Sequence, residues 1–107
     1  MNDKIIPNLE QMLANGQDSA VLRFSLGNAY LQQKDYSKAI EHFSRCLAFE
    51  EDYSAAWKGY GKALAENQQI SEAITAYGKG IAIAEKKGDK QAAKEMQVFL
   101  KRLEKQQ

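Results

Sequence analysis

One histidine, one cysteine, an acidic run and a glycine-lysine-glycine triplet are the residues of this 107-residue chain whose types could do chemistry. His42 would need a carboxylate or a nucleophile at helical spacing to work as an acid or base. None stands there, since Glu41 is adjacent and points elsewhere, so His42, three residues after Ala39, reads as a solvated outer-face side chain. Reactive thiols sit at helix N-termini or beside cations, whereas Cys46 falls within an apolar stripe and reads as a buried small hydrophobe. A single cysteine makes no internal disulfide, and no second cysteine or paired histidine supplies metal-ligand spacing. The run Glu50-Glu51-Asp52 lacks the spaced oxygens and turn glycine of a calcium loop and reads as a solvated junction that also caps a helix. None of the seven glycines forms a phosphate-binding loop motif, and Gly78-Lys79-Gly80 lies inside a helical pattern. The sequence therefore predicts no catalytic residue, no metal, no cofactor and no enzyme.

Composition narrows the partners. Fifteen basic and fourteen acidic side chains leave a formal charge of +1, which gives no global pull toward nucleic acid or an anionic membrane. The tail carries Lys86, Lys87, Lys90, Lys94, Lys101, Arg102 and Lys105, but Glu85, Asp89, Glu95 and Glu104 are interleaved with them, as on a solubilising surface. No window approaches a membrane span and the first residues lack a secretory apolar core, so the expected compartment is the cytoplasm.

Six amphipathic helices account for nearly the whole chain. The first, over residues 3–15, has a stripe of Ile5, Leu9, Met12 and Leu13, tolerates Pro7 in its first turn, and stops at Gly16. The second, about 19–33, starts at Asp18 or Ser19 and buries Leu22, Leu26, Ala29 and Tyr30. The third, about 36–49, is capped by Asp35 and buries Ala39, Ile40, Phe43, Cys46 and Leu47. The fourth, about 53–66 with Asp52 as cap, buries Trp57, Tyr60, Gly61 and Leu64. The fifth, about 71–86 from Ser71, buries Ala73, Ile74, Tyr77, Gly80 and Ile81. The last, about 89–105 after Gly88 and Asp89, carries Ala92, Met96, Phe99 and Leu103 on one stripe.

An offset of 34 residues superposes the middle of the chain on itself: Gly27 on Gly61, Ala29 on Ala63, Ser37 on Ser71, Ala39 on Ala73, Ile40 on Ile74, Ala48 on Ala82 and Glu51 on Glu85. Seven identities at one offset make this a repeat protein. The first copy reads Arg23-x2-Leu26-Gly27-x2-Tyr30 and then Ala39-x3-Phe43; the second reads Trp57-x2-Tyr60-Gly61-x2-Leu64 and then Ala73-x3-Tyr77. The pattern resembles the tetratricopeptide repeat, with glutamates at the proline slots. The resemblance implies an all-α solenoid of antiparallel helix pairs wound as a right-handed superhelix. The single domain, 1–107, divides into a leading half-repeat helix at 3–15, repeats at 20–53 and 54–87, and a capping helix at 88–105.

The resemblance also implies that the first helix of each pair lines a concave groove holding a peptide. Carried onto this chain, the groove-facing positions are Val21, Phe24, Asn28, Leu31 and Gln32, then Ala55, Lys58, Lys62, Ala65 and Glu66. Phe24, Asn28, Leu31, Gln32, Lys58 and Lys62 are the partner-binding candidates, with an apolar anchor at Phe24 and Leu31 and two positive charges beside it. The branch of the family that clamps a terminal carboxylate is matched only at Asn28, since Phe24, Gly59, Asp89 and Ala93 occupy its other slots. The chain is therefore expected to be a non-catalytic scaffold for an unidentified protein or peptide. The alternative is a homodimer formed through the groove or through the apolar capping helix, whose Ala92, Met96 and Phe99 fall in groove-facing register: either that helix rolls so that they cover the preceding pair, or they stay open and recruit another chain.

Overall fold

The computed structural model describes residues 4–107, and its six helices are α1 (Ile5–Ala14), α2 (Ala20–Gln32), α3 (Tyr36–Phe49), α4 (Ser54–Glu66), α5 (Ile70–Lys87) and α6 (Lys90–Gln106). No strand occurs among the described residues. Asp3, the first residue expected in the leading helix, lies outside them. Helix α2 packs on α3, α4 on α5, and α6 on α5. The first helices α2, α4 and α6 also touch in succession. This is an α-solenoid of antiparallel helix pairs, 41 × 28 × 22 Å in extent.

Local chemistry sets most boundaries. The Ser19 hydroxyl accepts from the Leu22 N–H, Asp35 from Lys38 and Asp89 from Ala92, so three helices have a side-chain cap. Asp52 and Ser71 do not cap. Helix α4 follows Tyr53 and α5 follows Gln69, neither with a side-chain capping bond. The loop before α4 is instead fixed through its carbonyls: Glu51 accepts from the Trp57 indole at 2.7 Å and Asp52 from Lys87 Nζ at 2.7 Å. Four helices end on a residue of positive φ, namely Gly16, Lys34, Gln68 and Gly88. At each, the following N–H reaches back to a carbonyl five residues earlier (Asp35 to Tyr30, Gln69 to Leu64), the pattern that closes a helix C-terminus. Lys34 and Gln68 are one repeat apart, so both copies turn alike.

The core is organised by rings seated on glycines. A Cβ on Gly27 of α2 would lie 2.7 Å from the Phe43 ring, and one on Gly59 of α4 would collide with the outer end of the same ring. Phe43 is fully buried between them. One repeat on, a Cβ on Gly61 would come within 2.5 Å of Tyr77. Gly80 passes between Trp57 and Met96 in the same manner.

Two expectations are corrected. In α1 the inward stripe is Ile6, Leu9 and Leu13, while Ile5 and Met12 are 45 % and 40 % exposed. Ile5 and Met12 occupy the slots that Ala39 and Cys46 fill in α3. Helix α3 has a helix on either side, whereas α1 touches only α2, so those slots stay open. His42 is not solvated but 5 % exposed. It stands three residues after Ala39 and four before Cys46, a spacing that keeps all three on one helical arc, and that arc is wider than the stripe read from the sequence.

The glycines yield paired predictions of opposite sign. Gly27→Leu should lower unfolding free energy by about 1–3 kcal/mol through overpacking against Phe43. Gly78, whose added Cβ would meet nothing within 4 Å, should gain up to about 1 kcal/mol as Gly78→Ala from helix propensity alone. Chemical denaturation of the two variants beside the parent protein measures both.

Candidate functional site

Helices α2, α4 and α6 wall a concave groove of about 870 Å³. Phe24, Asn28, Leu31 and Gln32 face it from α2, and Ala55, Lys58, Gly59, Lys62 and Glu66 from α4. Glu95, Val98, Phe99 and Arg102 face it from α6, and Lys34 and Tyr36 close one end. All six partner-binding candidates thus come together in one hollow. Of the remaining groove-facing positions, Ala55 and Glu66 line it as well. Ala65 lies in an adjoining hollow shared with Lys62, Phe99 and Arg102, and Val21 stays outside, 65 % exposed.

Of the α6 residues that line the groove, the sequence points to Phe99 but not to Glu95, Val98 or Arg102. Register alone put Ala92, Met96 and Phe99 toward the groove. In the fold, Met96 is fully buried against Gly80, Ala93 and Leu103 are buried, and the Phe99 ring stacks on Tyr77 at 5.9 Å. Burying that stripe rolls α6 about its axis and turns Glu95, Val98 and Arg102 into the groove. The same roll covers most of that stripe and leaves Val98, 50 % exposed, and an edge of Phe99 on the groove side. The signal available in the sequence was the apolar stripe itself, which outweighs repeat register in this helix.

Charge in the groove is unevenly matched. Lys58 Nζ lies 2.9 Å from Glu95 Oε1, so one of the two lysines expected to be free is paired. Lys62 and Lys34 have no carboxylate partner among the described residues, and the Arg102 guanidinium lies over the Phe99 ring. Four cations therefore face two carboxylates, Glu66 and Glu95. The apolar floor is Phe24, Leu31 and Val98. Phe24 is half-buried, with its ring stacked on Tyr53 at 4.9 Å and tilted against Phe43 at 6.0 Å, so it is both part of the floor and part of the core.

A second cluster runs from α1 through α2 to α3. Arg23, at the slot Trp57 holds in the next copy, is buried and makes a two-pronged pair with Asp18 at 2.8 and 2.9 Å. Its Nη1 donates to His42 Nδ1 at 3.1 Å, which places the imidazole proton on Nε2. The Tyr30 ring stacks flat on His42, and its hydroxyl donates to Glu10 of α1. The Arg23 hydrogen bonds hold the Asp18 carboxyl below its ordinary value. Burial, reinforced by the Glu10 bond, pushes the Tyr30 phenol up to about 12, so it remains a donor. Burial first, and the Arg23 charge second, lower the His42 pKa. The cluster is a tie between three helices; its imidazole faces a cation and not a nucleophile.

Cys46 is fully buried, and burial pushes its thiol up to about 11. Among the described residues no group of His, Cys, Asp and Glu side chains is placed to hold a metal ion. No helix there is long and apolar enough to cross a membrane.

Stacked antiparallel pairs whose first helices wall a concave groove define a helical-repeat scaffold. The sequence profile of the tetratricopeptide repeat matches residues 20–53. A TPR repeat-containing protein of Pseudomonas aeruginosa is 46% identical, over 94% of this chain and 95% of its own length. The solution structure of a Bordetella parapertussis protein superposes with a TM-score of 0.86 at 40% identity, covering 99% of this chain and 91% of that one. A tetratricopeptide repeat domain of Salinibacter ruber superposes at 0.76 with 22% identity, covering 84% and 91%. The chain belongs to the tetratricopeptide repeat family. The family is one of protein–protein interaction scaffolds, in general non-catalytic.

The buried imidazole yields a pH dependence. An unfolded histidine titrates near 6.5, and the folded His42 titrates lower, so the unfolded chain takes up the proton first as pH falls. The contribution to stability is complete above about pH 6.5 and is lost as pH drops through the lowered folded value. Urea unfolding between about pH 7 and pH 5 should show this loss in the parent protein, with a flatter profile in His42→Gln.

Proposed function

We propose that the chain captures a segment of a partner protein along its concave groove, without catalysis, as an extended or helical peptide with an apolar anchor beside an acidic residue. The observation that carries this reading is the groove itself. Three first helices converge on an apolar floor of Phe24, Leu31 and Val98, flanked by a twofold excess of cations over carboxylates. An apolar side chain seated on that floor supplies most of the affinity, and Lys62, which has no carboxylate partner among the described residues, sets orientation. Asn28 and Gln32, one turn apart on α2, offer side-chain amides to the peptide backbone.

The array is read as one domain: a leading half-repeat over 3–15, repeats over 20–53 and 54–87, and a cap over 88–105. Recurrence of the ring-on-glycine contact and of the positive-φ turn at Lys34 and Gln68 supports this division. The cap then has two tasks, covering α5 and completing the groove.

Leu31 and Lys62 are better test positions than Phe24, whose ring also supports Tyr53 and Phe43. Lys62→Glu should weaken an isolated partner segment at least about tenfold, or about 1.4 kcal/mol, with thermal unfolding nearly unchanged. Affinity capture with the parent protein, Lys62→Glu and Leu31→Asp in parallel, followed by titration of the captured segment, reads this. Equal capture by all three overturns the groove as the binding surface.

A further inference from the structure

We infer that Glu95 is an internal competitor for the groove's ligand: its carboxylate holds Lys58 in the position an acidic side chain of the bound peptide takes over. The inference rests on the peptide-groove reading. In repeat register Glu95 falls on Gly61, which in turn falls on Gly27. In the two full repeats that slot must be glycine, because a ring of the following helix is pressed onto it. On α6 no ring among the described residues is pressed onto that slot, and the side chain present there is a carboxylate, 42 % exposed. The neighbouring Met96, fully buried, fixes the roll of α6. Glu95 is thereby aimed across the groove at Lys58, 2.9 Å away.

The pair is built to exchange. Both side chains are about two-fifths exposed, at 39 % and 42 %, and neither makes another hydrogen bond or ion pair among the described residues. A pair in that setting is weak enough for a ligand carboxylate to displace. Arg23 with Asp18 is the contrast within the same chain: that arginine is buried and held by two bonds to one carboxylate.

The occupant follows from the charges. With Glu95 swung away, Lys58 joins Lys34, Lys62 and Arg102 along the floor, facing Glu66 alone. That surface selects a segment in which side-chain carboxylates alternate with apolar residues, the latter resting on Leu31 and Val98. Glu95 sets a threshold: a segment able to replace its carboxylate is held, and a merely apolar one leaves the pair closed.

The test is fluorescence titration of the full chain with a short acetylated, amidated peptide of Leu-Asp-Asp repeats and with its Leu-Asn-Asn counterpart. Glu95→Gln should bind the acidic peptide up to about fivefold tighter than the parent and the asparagine peptide no tighter. The gain should vanish in Glu95→Gln combined with Lys58→Gln, compared with Lys58→Gln alone. Glu66→Gln, which removes a carboxylate not paired with Lys58, should gain less. Equal gains from Glu66→Gln and Glu95→Gln, or a gain that persists without Lys58, would show a general field and overturn the competitor. No gain in Glu95→Gln, with Lys62→Gln still weakening the acidic peptide, overturns the competitor and leaves the groove reading intact. If the parent and every variant bind the two peptides alike, the groove reading fails and takes this inference with it.

Discussion

The fully buried ring of Phe43, held between two backbones that carry no Cβ, is the contact on which the rest of the structure depends. Gly27 lies against the near atoms of the ring and Gly59 against its outer end, so a single side chain sets the spacing of α2, α3 and α4. Tyr77 on Gly61 sets the next interval, and Met96 against Gly80 the one after. Close approach at these points leaves little room for error, because packed interiors do not absorb an added methyl group without displacement. It also places the first helices near enough to share one hollow while their outer arcs diverge.

The groove is a by-product of that spacing. Rings and small residues occupy the arc of each first helix that faces its partner, so the remaining arc carries side chains the packing does not require: Asn28, Gln32, Lys58, Lys62. Floor and core nevertheless meet at Phe24, one face of which rests on Tyr53. Affinity and stability are therefore not separable at every position. The third wall follows the same logic from a different cause. Helix α6 is turned by burial of Met96 and Phe99, and its contribution of Glu95, Val98 and Arg102 is fixed by what lies on its other side.

The two repeats solve the same geometric problem with different chemistry. Where the second has Trp57, with its indole bonded to a loop carbonyl, the first has Arg23, neutralised by Asp18 and bonded to His42. A buried guanidinium is tolerated only because its donors are met by a carboxylate and an imidazole nitrogen. That network, extended through Tyr30 to Glu10, also anchors α1, none of whose residues is itself fully buried. The leading helix is held by this polar tie together with the partly buried stripe of Ile6, Leu9 and Leu13.

What the amino-acid sequence determined by itself was most of what is local or periodic: six helices to within a residue or two, three of their caps, the glycine stops and the 34-residue recurrence, on which the family resemblance then placed the six groove-facing candidates. Such features depend on residues a turn apart or on one offset applied uniformly, and a linear string displays both. What only the tertiary structure decided involved residues far apart whose partners no spacing announces. His42 sits on the inner arc by its spacing, but the partner that satisfies its ring nitrogen there is Arg23, nineteen positions away; Lys58 is paired with Glu95, thirty-seven positions on. The roll of α6 came from competition between repeat register and apolar burial, and burial prevailed because removing Met96 from water and seating the Phe99 ring on Tyr77 is worth more than keeping the register.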